Sequence, residues 1–336
     1  VLYASLYPFA EWRDQGIAPW AFLTEPLPRY WTWFDVATNV MGYVPLGFLL
    51  TLSALRVGRR QHAVLVATVF GAALSLLMEM LQSYLPARVP SNVDLGLNVL
   101  GAWLGAVGAA QLEKVGAIAQ WGRVRERWFV EQARGALVLL ALWPIALLFP
   151  ASVTFGLGQV LERVELVLVD VLEDTPFLDW LPIRDVELQP LLPLAELVCV
   201  MLGVLIPCLL GYCIIHSRVR RALFALLVVA TGVVVTSLSS ALSFGPEHAW
   251  VWLNLPVQAG IGAAIVFALP LLLLPARVCA AVLLLALGVY LSVLNQAPTD
   301  PYFAQTLQSW ERGRFIRFHG LAQWLGWLWP YAVMVY

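Results

Sequence analysis

A few polar side chains interrupt the apolar sequence between residues 35 and 98, and they are of types that can carry chemistry. Burial moves the pKa of a carboxyl group toward neutrality, so that it can act as a general acid or base. A guanidinium group offers a planar fork of donors that suits phosphate or carboxylate. Carboxylates combined with amides could instead bind Ca²⁺ or Mg²⁺. The candidate ligand-binding residues are Asp35, Asn39, Glu79, Gln82, Arg88, Asp94 and Asn98.

The spacing of these residues places them in sets on helix faces. Residues three, four or seven positions apart lie on the same side of an α-helix. Three such sets occur: Asp35 with Asn39, Ser75 with Glu79 and Gln82, and Asp94 with Asn98, Gly101 and Gly105. A carboxylate inside the membrane is expensive and usually marks a site or a buried partner. The spacing therefore predicts either a polar pocket or interhelical hydrogen bonds, with Arg88 free to pair with Glu79 or Asp94.

Other kinds of site find little support in the sequence. No serine–histidine or cysteine–histidine pairing indicates a nucleophile, and neither CxxC nor HExxH occurs. The histidines fall near predicted helix ends, so no facing pair predicts a b-type haem. We expect no cofactor and no bound metal, and the pattern identifies no catalytic residue. Four cysteines lie in apolar runs, which predicts buried thiols: Cys199, Cys208, Cys213 and Cys279.

The composition excludes a water-soluble enzyme. Of 336 residues, 61% are hydrophobic and only 12% are charged, whereas a soluble domain carries about 25% charged residues. The net charge of −1 excludes an electrostatic nucleic-acid binder, which needs a basic face. The sequence predicts an all-α, polytopic transmembrane helix bundle.

Apolar runs long enough to cross a membrane recur along the whole sequence. A spanning helix needs about 20 mainly apolar residues. Residues 1–7 resemble the end of a further, truncated first helix, with a cleaved signal peptide as the alternative. With that fragment we expect about ten spans; the complete runs are 35–55, 63–85, 94–112, 135–151, 190–215, 222–244, 256–274, 277–295 and 320–336.

Lysine and arginine residues predict the orientation of the bundle. They cluster after the first, third, fifth and seventh complete runs, and such loops face the cytoplasm. The N-terminus is then cytoplasmic, in a bacterial inner membrane. Residues 113–134 form a cytoplasmic amphipathic linker suited to anionic lipid. The acidic loop 152–189 is extracytoplasmic, and within it 160–173 fits a surface helix or a strand, with the helix favoured. All candidate residues then lie toward the outer leaflet.

The first third of the sequence resembles the VanZ-like family. The resemblance covers about residues 1–112 and departs from the family pattern at Tyr43, where Phe is expected. The family is named for a membrane protein that lowers susceptibility to teicoplanin, and the resemblance supplies no reaction mechanism. The motifs are Tyr3-x-Ser5-Leu6-x-Pro8-Phe9, Asp35-x3-Asn39-x5-Pro45-x-Gly47, Ser75-x3-Glu79-x2-Gln82, Arg88, and Asp94-x3-Asn98-x2-Gly101-x3-Gly105.

A weaker similarity links the two halves of the sequence. With an offset of about 160 residues, Glu79 aligns with Ser239, Arg88 with His248, and Asp94 with Asn254. We interpret this pattern as a degenerate, parallel-topology repeat over about 135–274 that keeps polarity and loses charge. Chance alignment of apolar sequence is the alternative. The predicted organisation is a four-helix unit at 1–112, the linker 113–134, the repeat, and two further helices within 275–336.

Two functions of different classes are consistent with this pattern. The first is a protein that binds, and potentially modifies, a lipid-linked or wall-derived anionic ligand at the outer leaflet, with membrane lipids as its other partners. The second is a non-catalytic accessory or scaffold subunit of a larger membrane complex, in which the polar residues only hold helices together. Neither involves nucleic acid.

The predicted topology can be tested by cysteine labelling in intact cells. Because basic residues occupy alternate loops, a membrane-impermeant reagent should label single cysteines placed in 152–189 and spare those placed in 113–134 until the membrane is permeabilised. The unsubstituted protein measures background from its own cysteines. Labelling of 113–134 alone would reverse the assigned orientation.

Overall fold

The structure is a computed structural model. It describes residues 2–6, 9, 11–27, 32–58, 61–149, 151–173, 175–177, 190–298 and 316–336. Within these residues the secondary structure is helical, apart from one isolated antiparallel bridge between Phe129 and Ile215. The all-α prediction is confirmed. The helices are α1 (Leu2–Leu6), α2 (Trp33–Arg56), α3 (Ala63–Gln82), α4 (Asn92–Lys114), α5 (Ala117–Trp128), α6 (Arg134–Ala146), α7 (Leu161–Leu172), α8 (Pro193–Ile214), α9 (Arg218–Phe244), α10 (Leu255–Leu271), α11 (Ala276–Leu294) and α12 (Ile316–Val335).

Among the described residues, 6 helices are long and apolar enough to cross a membrane: α2, α3, α4, α8, α9 and α11. Helices α6 and α10 are apolar but shorter. The protein is thus a multi-pass membrane protein, and about ten spans remains the prediction for the whole chain. Among the predicted runs, 135–151 differs most from the helix in the structure, because that helix ends at Ala146. Pro150 disfavours helical backbone just before it, and the chain continues as irregular backbone.

The chain divides into two compact units, residues 1–125 and 126–336. In unit 1 the helices α2, α3 and α4 pack together, and α2 and α4 make the most extensive contact. A Cβ atom on Gly105 would lie 2.0 Å from the Val44 carbonyl oxygen, and one on Gly101 would lie 2.2 Å from that of Val40. Only glycine permits this approach of the two backbones. The helix face that carries Asp94, Asn98, Gly101 and Gly105 is therefore the face of α4 that packs against α2.

The N-terminal segment of unit 1 is tied to the end of α3. The Gln82 amide donates to the Ser5 carbonyl of α1 at 3.0 Å, and the Gln15 amide donates to the Ser83 carbonyl at 2.8 Å. The backbone N–H of Arg13 donates to the Tyr84 carbonyl at 3.0 Å. The bonds to Ser83 and Tyr84 satisfy carbonyl groups just beyond the C-terminus of α3 that have no intrahelical partner.

Unit 2 is arranged around α8, which is far more enclosed than the other candidate spans. It packs against α10 and α11, and also against α9 and α6. The buried Arg221 of α9 donates to the carbonyl oxygens of Ile215, Leu272 and Leu274. A cation at these carbonyls, which follow the last turns of α8 and α10, complements the negative ends of both helix dipoles.

Residues 151–160 of unit 2 form a buried, non-helical segment. The Tyr290 hydroxyl accepts a hydrogen bond from the Leu157 N–H and donates one to the Phe155 carbonyl. The Asn295 side chain accepts from the N–H groups of Val160 and Leu161 at 3.1 Å. Buried irregular backbone needs protein or water to satisfy its polar groups, and Tyr290 and Asn295 serve that purpose here.

Helix α7 confirms the helical interpretation of 160–173. Its apolar residues Val164, Val167, Leu168 and Val171 are exposed along one side, which is the arrangement of a helix lying on a membrane surface. The Arg163 guanidinium lies 4.4 Å from the centre of the Trp327 ring. Burial is the main cause that lowers the pKa of Arg163, partly offset by the neighbouring Glu162.

Paired glycine substitutions should test the α2–α4 contact. Gly105→Ala forces a methyl group against the Val44 carbonyl and should lower the free energy of unfolding by about 2 kcal/mol. Gly108→Ala on the same helix meets nothing within 4 Å and should be neutral, or stabilising by up to about 1 kcal/mol through helix propensity. Thermal unfolding in detergent compares the two variants. Equal effects would contradict the close contact.

Candidate functional site

The rim tier consists of Asn39, Glu79 and Asp94, one residue from each of α2, α3 and α4. The Asn39 amide donates to Asp94 Oδ1 at 2.7 Å and joins α2 to α4. Asp94 lies in the first turn of α4, where the helix dipole stabilises a carboxylate. The hydroxyl of Ser91 caps this helix by accepting from the Asp94 N–H at 3.4 Å. Asp94 is thus positioned by both its cap and its partner.

Glu79 is the most deeply buried carboxylate of the candidate set. Only 2% of its surface is exposed, and its Oε2 accepts a hydrogen bond of 2.9 Å from the Ser91 N–H. Ser91 therefore caps α4 with its side chain and contacts α3 with its backbone. Because this one residue links both helices, the connector 83–91 is held against the rim tier.

The inner tier lies one helical turn further along the same three helices and consists of Tyr43, Ser75 and Asn98. The Asn98 amide donates to Ser75 Oγ at 2.9 Å. The Tyr43 hydroxyl lies beside Ser75 and Glu79. Two polar atoms of this tier, Tyr43 Oη and Asn98 Oδ1, are buried and make no hydrogen bond within the described residues. Such orphaned atoms are uncommon in folded proteins and call for an explanation.

Close packing ends the polar column below the inner tier. A Cβ on Gly47 would lie 1.9 Å from the Ala102 carbonyl oxygen, and one on Gly71 would lie 2.6 Å from Ala102 Cβ. Ala102 itself is fully buried. The side chains of the two tiers therefore form a polar column that extends over about two helical turns and is closed at its inner end. This geometry fits binding better than conduction.

The remaining predicted residues have other positions. Asp35 is exposed and forms a capping box with Thr32, whose hydroxyl donates to Asp35 Oδ2 at 2.7 Å. Gln82 holds α1, as described above. Arg88 is partly exposed and lies in the connector 83–91, where its N–H donates to the Leu85 carbonyl at 2.9 Å. Asp35 and Gln82 thus have evident structural roles, whereas Arg88 lies where a ligand could reach it.

Tyr43 belongs to the inner tier but is not among the candidate residues that the sequence predicted. The sequence shows it only as a departure from a family pattern, although it lies four residues after Asn39 and eight after Asp35. This spacing places it on the same face of α2. A tyrosine within an apolar run is usually read as core, because its ring is mostly apolar. The helical spacing was the signal that could have identified it.

The carboxylates do not gather into a metal site in the part of the chain described. No group of three or more His, Cys, Asp and Glu side chains there is arranged to hold a metal ion. The alternative of Ca²⁺ or Mg²⁺ therefore gains no support from the geometry. The four cysteines are free thiols; Cys199, Cys208 and Cys279 are buried, as predicted, whereas Cys213 is only partly buried.

Unit 2 contains a polar contact similar to that of the rim tier. The Asn254 amide donates to Glu196 Oε1 at 3.0 Å, and its carbonyl oxygen caps α10 by accepting from the Val257 N–H at 2.9 Å. A Cβ on Gly260 would lie 2.9 Å from the Leu197 carbonyl oxygen, as on the glycine face of α4. This resemblance is what a duplication predicts, and the duplication itself stays a prediction.

The comparison with known families agrees with the motifs. Residues 2–113 match the family model described as VanZ/LLP1. The resemblance to the VanZ-like family is therefore confirmed for the first third of the chain, which holds both tiers. No curated protein and no solved structure matches the chain.

An exchange of side chains should test the Asn39–Asp94 contact. Asn39→Asp alone places two carboxylates together and removes the hydrogen bond, so the free energy of unfolding should fall by about 1–3 kcal/mol. Asn39→Asp combined with Asp94→Asn reverses the donor and acceptor and should restore most of that loss. Thermal unfolding of the two variants is the measurement. A double variant no more stable than Asn39→Asp would show that the pair is not in contact.

Proposed function

We propose that unit 1 is the ligand-binding part of an integral membrane protein that takes a lipid-linked or cell-wall-derived anionic ligand at the outer leaflet. The observation that carries the proposal is the polar column: an almost completely buried Glu79 with two unsatisfied polar atoms one turn further in. A membrane protein that only needed helix contacts would gain nothing from these costly groups.

Each part of the column has a distinct role in this proposal. Arg88, partly exposed in the connector, would bind the anionic group through its forked donors. Asn39 and Asp94 would contact the ligand at the rim. Glu79 would orient it, and if the ligand is modified, Glu79 and Asp94 are the groups able to accept or donate a proton.

The expected physiological effect follows from the family. A VanZ-like protein that sequesters or modifies a wall intermediate would lower susceptibility to teicoplanin-type glycopeptides. In this proposal the protein resides in the bacterial inner membrane, with its N-terminus in the cytoplasm and the rim tier outside. Its partners would be membrane lipids and a lipid-linked envelope intermediate.

A second candidate function is supported by the hydrogen bonds already present. The bonds Asn39–Asp94, Ser91–Glu79 and Asn98–Ser75 join α2, α3 and α4 without any ligand. They would suit a non-catalytic accessory or scaffold subunit of a larger membrane complex. The two orphaned atoms favour the binding function over this alternative.

Substitutions at Arg88 and Glu79 should separate these functions. If Arg88 binds the ligand, Arg88→Ala should abolish protection against teicoplanin, a loss greater than its effect on the melting temperature in detergent explains. Glu79→Gln keeps the shape of the side chain and should also abolish protection. Arg13→Ala and Glu25→Gln, on exposed residues of the same unit, are the charge-matched controls.

The binding function would be contradicted if the variants lost protection only in proportion to their loss of stability. If Arg88→Ala and Glu79→Gln reduce protection only as far as they reduce stability and membrane abundance, the polar residues only hold helices together. Loss of a partner from a buried charged group destabilises strongly, so the scaffold function predicts that proportionality.

A further inference from the structure

The two orphaned atoms of the inner tier need different hydrogen-bonding partners. Tyr43 is 3% exposed and its hydroxyl can donate a hydrogen bond, while Asn98 is 5% exposed and its Oδ1 can only accept one. Both are next to Ser75, since Asn98 is bonded to Ser75 Oγ and Tyr43 lies beside it. One small group that both accepts and donates would satisfy the two atoms together.

Few chemical groups have that property. Phosphate and carboxylate oxygens only accept, and an ammonium group only donates. A hydroxyl group does both with one oxygen atom, and it carries no charge that would have to be buried beside Glu79. The inner tier therefore matches a hydroxyl better than the anionic group for which Arg88 is suited.

The rim tier has the same pairing of a donor with an acceptor. Asn39 donates to Asp94 one helical turn from the inner tier. A ligand hydroxyl placed between them would accept from Asn39 and donate to Asp94. When the ligand hydroxyl enters, the Asn39–Asp94 hydrogen bond is replaced by two hydrogen bonds to the ligand, so neither side chain is left unsatisfied.

We propose that the inner tier is a hydroxyl-binding subsite and that the ligand therefore carries a polyhydroxylated headgroup, as a sugar-bearing lipid does. This inference rests on the proposed function and specifies the chemistry of its ligand. Tyr43 and Asn98 contact one headgroup hydroxyl, the rim tier contacts another, and Arg88 contacts any anionic group outside the column. An ordered water molecule is the competing source of the same hydroxyl chemistry.

The experiment compares lipid headgroups on the full-length protein. Phosphatidylcholine vesicles contain the purified protein and one probe lipid: a monoglucosyl diacylglycerol, the same diacylglycerol without sugar, or phosphatidic acid. Lipid binding is titrated for the wild type, Tyr43→Phe, Arg88→Ala and Thr51→Val. Thr51 is the matched control, because it also has a buried hydroxyl without a partner but lies beyond the Gly47 contact.

If the inner tier binds a hydroxyl group, Tyr43→Phe should weaken glucolipid binding without lowering the stability of the lipid-free protein. Tyr43→Phe should weaken glucolipid binding about 3- to 10-fold, and the lipid-free melting temperature should rise or stay the same, because an unsatisfied hydroxyl is removed. Thr51→Val should have the same effect on stability and none on binding. Diacylglycerol without sugar should bind more weakly than the glucolipid.

Four results would overturn the proposal. Equal glucolipid binding by the wild type and Tyr43→Phe would mean that water, or nothing, occupies the inner tier. A lower melting temperature for Tyr43→Phe would assign its hydroxyl to folding. If only phosphatidic acid binds, through Arg88, the hydroxyl subsite is wrong and the proposed function stands. If no probe lipid binds, the hydroxyl subsite and the lipid-binding function fail together.

Discussion

The backbone contact between α2 and α4 is the constraint on which unit 1 depends. Gly101 and Gly105 of α4 lie against the carbonyl groups of Val40 and Val44, and Gly47 of α2 lies against Ala102. Between helices in lipid, van der Waals packing and Cα–H···O contacts replace the hydrophobic effect as the source of association. A Cβ at any of these glycines would lie 1.9–2.2 Å from a backbone carbonyl oxygen, so the two helices would have to move apart.

The polar tiers depend on this contact because they share its helix faces. Along α2, Asn39, Tyr43 and Gly47 follow one another at intervals of four residues, and Asp94 and Asn98 precede Gly101 on α4 in a similar register. The glycines fix how closely the two backbones approach, so they also fix the distance across which Asn39 reaches Asp94. The same packing that closes the bottom of the column brings its polar atoms into hydrogen-bonding range.

The sequence predicts the helix faces of unit 1 well, because residues that lie together on one helix face recur every three or four positions along the sequence. The helix faces, the Gly101–Gly105 contact and the surface helix α7 all follow from spacing. The positions of Asp35 and Gln82 do not, because a capping box and a bond to α1 depend on where each helix ends. The buried segment 151–160 could not be predicted, since apolar composition does not distinguish a helix from irregular backbone satisfied by Tyr290 and Asn295.

Unit 2 contains a similar helix contact whose carboxylate is not buried. Asn254 and Glu196 form their hydrogen bond between α8 and α10, yet Asn254 is exposed, and the buried helix α8 presents apolar residues and thiols to its neighbours. Ser239, which the predicted repeat would align with Glu79, donates to the Leu148 carbonyl. A neutral hydroxyl can be satisfied by one backbone group, whereas a buried carboxylate needs several donors or a ligand. In unit 1 the almost completely buried Glu79 and the two unsatisfied atoms of the inner tier occur together, and the proposed ligand-binding function rests on this combination.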